Sequence, residues 1–202
     1  MKVLVVYYSE TKKTEKVAAA IYDAVSKKHK ALMKKVGEVN ARMLDDFDLV
    51  FLGSPCHGGD LASPAKALLR AIPESPRFKL AGFFTHSCPT QERSSTSFKR
   101  WASKCVASFE EVSKERNIDF RGYYSCQGAP SPPIQEFIRK AAFGSASGGT
   151  LGSNACEEYI EEALKHPDTE DLCKAEKFAC SVIQGCLIRN QKVLKSVENE
   201  RS

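Results

Sequence analysis

From Lys2 to Tyr8 the chain is an almost unbroken run of β-branched and aromatic residues, and polar residues resume only at Ser9. A short apolar run without alternation is the pattern of a strand covered on both faces, as in the parallel sheets of α/β folds. Beyond it Val17, Ile21, Ala24 and Val25 recur at helical spacing, and Thr11 or Thr14 can cap that helix. Strand, tight loop and amphipathic helix thus follow one another within about thirty residues, the size of an opening β-α-β unit.

The alternation continues. Ala31–Val36 reads as a weaker strand, and Lys34 and Lys35 suit it to an exposed sheet edge where charge discourages pairing. Asp48–Gly53 is a buried strand, Ser54–Ser63 a Gly-rich loop, and Pro64 opens a short helix over Ala65–Ala71. Lys79–Thr85 is the fourth strand. Ser95–Arg116 is a long helix with Phe98, Trp101, Cys105 and Phe109 on one core-facing stripe, and Ile118–Cys126 is the last strand. This succession predicts an α/β fold, a doubly wound sheet of five parallel strands.

After Cys126 the regularity stops. Ala129–Pro133 is rich in proline, and Gly144–Ser153 is almost wholly Gly, Ser, Ala and Thr, a composition that favours a mobile loop. Asn154 with Glu157 opens a helix, and Asp168 with Asp171 opens another after the His166-Pro167 stop. This last helix, Thr169–Arg189, carries Leu172, Ala175, Ala179, Val182 and Cys186 on the side expected to cover the sheet. The chain reads as one domain, 1–202, with a non-standard insertion over 127–168.

Composition narrows the class. At 202 residues there is room for one full core, and a charged fraction of 27% with 42% apolar residues argues against disorder or a disulfide-dense scaffold. The first residues lack the layout of a signal peptide and no apolar run is long enough to span a bilayer, so a cytoplasmic protein with no membrane partner is expected. Its eight cysteines are then thiols, and none are spaced as Cys-x-x-Cys, which weighs against a zinc ribbon, a ferredoxin-type cluster or a thioredoxin-type redox pair; no metal ligand is assigned. A net charge of +5, with lysines interleaved among acids, gives no reason to expect a nucleic-acid partner.

In an open parallel sheet, ligands sit beyond the carboxyl ends of the strands where the strand order reverses, which directs attention to the loops after the first and third strands. The first is Ser9-Glu10-Thr11-Lys12-Lys13-Thr14, ending at a helix start whose unpaired N–H groups and partial positive charge favour a phosphate. The second is Gly53-Ser54-Pro55-Cys56-His57-Gly58-Gly59-Asp60, rich in glycine.

On these residues the chain resembles the flavodoxins, whose phosphate loop follows the pattern Ser/Thr-x-Thr-Gly-x-Thr directly after the first strand. Ser9, Thr11 and Thr14 match, and Lys12 stands where the pattern has glycine. The resemblance covers residues 1 to 126. It implies a flavodoxin-like sheet of order 2-1-3-4-5 with helices on both faces, and FMN as cofactor. It further implies that Ser9, Thr11, Lys12, Lys13 and Thr14 hold the FMN phosphate. By the same likeness Ser54, Pro55, Cys56, His57, Gly58 and Gly59 touch the flavin ring, and Thr85, His86 and Ser87 flank its other side. The flavodoxins commonly sandwich the ring between aromatic side chains, whereas these two loops offer His57 and His86.

The function implied is electron transfer between redox partners, either a protein or a small acceptor, with no side chain required as acid or base. Two other functions compete: an FMN-dependent NAD(P)H:quinone-type reductase with 127–168 as a lid, and a flavin-free binding module on the same fold. A phosphoreceiver is disfavoured, because the third strand ends in Gly53-Ser54-Pro55 and its aspartates, Asp45, Asp46 and Asp48, lie at its start.

Plainer readings stand beside these. Ser9, Thr11 and Thr14 read equally as a helix N-cap region, and His57 and His86 as exposed loop histidines. Cys56, Cys88 and Cys126 each follow a neighbouring strand, which makes them either a convergent redox or metal site or three small buried residues. Cys173, Cys180 and Cys186 fall near one helical face and read as core.

Overall fold

Residues 1–89, 93–143 and 153–199 are described by the computed structural model. The strands are β1 (Lys2–Tyr7), β2 (Lys30–Lys35), β3 (Leu49–His57), β4 (Asp60–Leu61), β5 (Lys79–His86) and β6 (Asp119–Gln127). The helices are α1 (Lys13–Ser26), α2 (Ser63–Arg70), α3 (Thr96–Trp101), α4 (Ser103–Glu115), α5 (Pro132–Phe143), α6 (Ser153–Leu164) and α7 (Thr169–Asn199).

Five strands pair in parallel in the order β2-β1-β3-β5-β6, which is the expected 2-1-3-4-5 order once the short β4, antiparallel to β3, is set aside. Successive side chains of a strand point to opposite faces, and in β1 both faces are buried. Val3, Val5 and Tyr7 meet Val17, Ile21, Ala175 and Ala179 of α1 and α7. Leu4 and Val6 belong to the opposite core with Leu68 and Leu69 of α2 and Phe109 of α4. That double cover is why the β1 sequence shows no polar alternation. β2, at the edge, leaves Leu32 and Met33 exposed.

Two strand glycines let aromatic rings lie on the sheet. A Cβ on Gly53 would stand 2.1 Å from the Phe83 ring, and one on Gly82 would stand 2.8 Å from that of Phe109.

The structure departs from the sequence reading in several places. β3 runs past Gly53 through Ser54–His57, residues expected in a loop, because Cys56 and His57 find pairing partners in Leu61 and Asp60. The helix expected over Ser95–Arg116 is two helices, broken at Ala102, whose φ of −136° and ψ of −14° are not helical. The break turns Trp101 outward, 47% exposed, while Phe98 stays in the core, so the expected core stripe is correct at Phe98 and wrong at Trp101. α5 was not expected; Pro132 and Pro133 sit in its first turn, where a missing N–H costs nothing. The Gly- and Ser-rich segment 144–152 lies outside the described residues.

The closing helix begins as expected. Asp168 and Asp171 cap reciprocally, the Asp171 N–H donating to Asp168 Oδ1 at 2.8 Å and the Asp168 N–H to Asp171 Oδ2 at 3.2 Å. Cys186 is buried in its core face, but Cys173 and Cys180 are exposed rather than core. Among the described residues no helix is long and apolar enough to cross a membrane.

Candidate functional site

The loops after β1, β3 and β5 meet at the carboxyl edge of the sheet, tied by the Tyr8 N–H donating to the Gly53 carbonyl at 3.0 Å. They enclose a cleft of about 520 Å³, its open mouth included. Ser9, Thr11, Lys13 and Thr14 form one side, Pro55, Cys56 and His57 another, and Thr85, His86 and Ser87 a third.

The N-cap of α1 is Lys12, in the left-handed conformation at φ 62° and ψ 7°, and no side chain caps the helix there. The plain reading of Ser9, Thr11 and Thr14 as N-cap residues therefore fails for α1. Its first N–H groups are left for solvent or a ligand, which is the anion-binding property of a helix start. Thr14 is buried, its hydroxyl 2.9 Å from that of Thr85. A hydroxyl carries one donor and two acceptor sites, so this pair still has hydrogen-bonding capacity towards the cleft. Burial lowers the pKa of Lys13, with Lys16 contributing, so a partnering anion would be welcome there.

Acid and histidine meet at the rim. Tyr8 donates to Glu10 at 2.6 Å, raising the Tyr8 pKa, and Glu10 also lies 3.8 Å from His57. His57 is exposed, as its plain reading holds. His86 is not: it is only 3% exposed, its ring edge-on to Phe98 with centroids 5.4 Å apart, and burial pushes its pKa down to about 4. Its Nδ1 accepts from the Cys88 N–H at 3.2 Å, leaving the proton of the neutral ring on Nε2.

Two expected site residues are used elsewhere. Ser54 is fully buried, donating to the Pro55 carbonyl at 2.8 Å and accepting from the Ala62 N–H at 2.9 Å, and it lines no part of the cleft. Lys12 shapes the loop by its backbone, and its side chain is not among the lining groups. Asp60 anchors the β3–β4 turn by pairing with Lys66 and accepting from Ser108 Oγ at 2.7 Å. Burial alone would raise the Asp60 pKa, but Lys66, Ser108 and the Leu61 N–H together bring it below its ordinary value.

A second, largely apolar groove of about 1300 Å³, open solvent included, adjoins the first and shares Cys56, Ser87 and Ile134 with it. Gly58, Gly59, Cys88, Trp101, Phe137 and Tyr159 line it. The sequence reading missed part of this lining: it placed Trp101 in the core, and although it expected the helix begun at Asn154 it did not foresee α5, whose Ile134 and Phe137 are exposed. α5 is joined to α6 by Arg139, whose Nε and Nη2 donate to the Glu157 carboxylate at 2.7 and 3.0 Å. Gly128 was also missed; a Cβ there would stand 3.0 Å from Thr85 Cβ, a contact tight enough that one of the two would have to give by a few tenths of an ångström.

Of the two readings of Cys56, Cys88 and Cys126, convergence of all three on one site is not what the fold shows. Cys56 and Cys88 flank the apolar groove, whereas Cys126 is buried in the core on the opposite face of the sheet, with its pKa raised by burial.

Comparison with known proteins agrees with this geometry. A family model described as flavodoxin domain matches residues 4–180. No curated protein sequence matches the chain. Among solved structures, a Streptococcus pneumonia TIGR4 flavodoxin superposes with a TM-score of 0.58 at 13% identity, covering 92% of this chain and 99% of its own. Flavodoxin 2 from Bacillus cereus gives 0.57 at 20% identity, with the same shares of 92% and 99%. Rubredoxin oxygen:oxidoreductase from Desulfovibrio gigas gives 0.57 at 12% identity, covering 93% of this chain but 36% of that much longer one. At these identities the neighbours speak for the fold, and the family model speaks for descent: the chain belongs to the flavodoxin domain family.

Proposed function

We propose that the protein binds FMN with its phosphate at the Ser9–Thr14 loop and its ring in the apolar groove, and that it carries electrons between redox partners. The observation that supports this most is the junction of the two cavities. A polar cleft built on an uncapped helix start runs directly into a groove walled by Trp101 and Tyr159. A molecule with a phosphomonoester at one end and a flat apolar ring system at the other fits both. FMN supplies the reversible uptake of electrons, and the chain supplies position, exclusion of water and the electrostatic surroundings that set the potential.

In this reading the α1 N–H groups, the hydroxyls of Ser9 and Thr11 and the Lys13 ammonium hold the phosphate. Gly58 and Gly59, at φ 58° and 89°, let the backbone approach one face of the ring. Trp101 and Tyr159 replace the aromatic residues that the two loops lack. One observation favours a second reading: α5 and α6 wall the outer side of the groove, where a partner protein would need access. That wall suits a small flat acceptor such as a quinone, and sustained oxidation of NADH or NADPH with a quinone would establish the reductase function.

The test is titration of the flavin-free protein with FMN and with riboflavin, read by flavin fluorescence and melting temperature. FMN should quench and stabilise. Riboflavin, lacking the phosphate, should bind at least about tenfold more weakly, because charge-assisted hydrogen bonds contribute about 1.5–3 kcal/mol each. If FMN changes neither signal, the proposal fails.

A further inference from the structure

We propose that Cys56 and Cys105 form a redox-active pair that closes to a disulfide by exchange with a small-molecule disulfide such as oxidised glutathione. The inference does not depend on flavin binding, because it stands on how two segments of the chain cross at the wall of the apolar groove.

Each thiol points at the backbone that carries the other. Cys56 Sγ on β3 donates to the Trp101 carbonyl at 3.0 Å, just ahead of Cys105, and Cys105 Sγ on α4 donates to the Gly59 carbonyl at 3.9 Å, just after Cys56. The backbones themselves are close, since a Cβ on Gly59 would lie 3.7 Å from the Trp101 carbonyl oxygen. The Cys56 thiol, ahead of burial, raises the pKa of Cys105, which keeps Cys105 protonated at rest. Cys88 is the nearest competitor, but its Sγ turns to the Ser97 carbonyl at 3.6 Å.

Exposure divides the roles. Cys56 is half-buried and lines both cavities, so a small disulfide in the groove can reach it. Cys105 is fully buried and can be reached only by its neighbour. Cys56, as thiolate, attacks one sulfur of the incoming disulfide; that S–S bond breaks, one thiolate leaves and takes up a proton, and a mixed disulfide remains on Cys56. Cys105 then gives up its proton and attacks Cys56 Sγ, expelling the second small thiol. Two protein thiols are oxidised and one small disulfide is reduced to two thiols. The product fastens the Cys56–Gly59 segment to the α3–α4 break and fixes the wall of the groove.

Equilibration of the native protein in glutathione buffers of rising oxidised fraction, acid quenching, alkylation and peptide mass mapping test this. The expected result is a Cys56–Cys105 linked peptide, lighter by two hydrogens, that disappears when reduced glutathione is restored. Cys105→Ser should instead trap glutathione on Cys56, and Cys56→Ser should leave Cys105 unmodified. The exposed Cys173 and Cys180 report that the oxidant is active. A Cys56–Cys88 link, glutathione persisting on Cys56 in the unsubstituted chain, or an unreactive Cys56 would each overturn the proposal. The map of the unsubstituted chain decides the pairing even where the buried Cys105 substitution impairs folding.

Discussion

Lys12 holds a left-handed backbone where its family's pattern has glycine, and it carries a Cβ that makes the conformation costly. Left-handed geometry costs an L-residue about 1–2 kcal/mol, part of which glycine would return as lost chain entropy. Lys12→Gly is therefore expected to stabilise the protein by up to about 1 kcal/mol in urea unfolding. His86 is the second residue with a legible energy. Its pKa is about 4 when folded and about 6.5 as an ordinary histidine, so between those values the unfolded chain binds more protons. Stability from this group is complete above pH 6.5 and is lost as the pH falls towards 4, by up to about 3 kcal/mol. Urea unfolding across that range should show this acid limb, and His86→Gln should flatten it.

At the scale of elements, the strands were the most readable part because their apolar runs reflect cover on both faces, as in β1 and the first half of β3. Gly53 belongs to the third strand, as the sequence predicts, but its packing role has no sign in the sequence. In the fold it makes room for Phe83. Gly53→Ala should destabilise by about 1–3 kcal/mol, the range for forcing a methyl into a packed core, as measured by the urea midpoint. Breaks and additions were less readable. Helical spacing alone put Trp101 with Phe98 and Cys105, and only the non-helical turn at Ala102 sends it to the groove. α5 was hidden because its two prolines resemble a loop until their place in a first helical turn is known.

At the scale of the whole molecule, the cavity junction sets what the protein can hold, and charge tunes it. The net charge is +5, and Lys13 lies in the cleft where an FMN phosphate would sit. The advantage of FMN over riboflavin should shrink as salt is raised, since dissolved ions screen the attraction between the phosphate and the solvent-facing positive charge around it. Paired titrations at low and high salt should show FMN affinity falling while riboflavin affinity stays nearly constant. An unchanged FMN affinity would place the phosphate away from the lysines.

The sequence by itself determined the five parallel strands, the helices that open and close the chain, the double cover of the sheet and the loop that begins α1, because periodicity and turn chemistry are local. Only the tertiary structure decided that Ser54 is spent inside the fold, that Cys126 lies across the sheet from Cys56 and Cys88, and that α5 and α6 complete an apolar wall. Those facts depend on which residues distant along the chain come to share a surface, and that is set by packing across the sheet rather than by spacing along it.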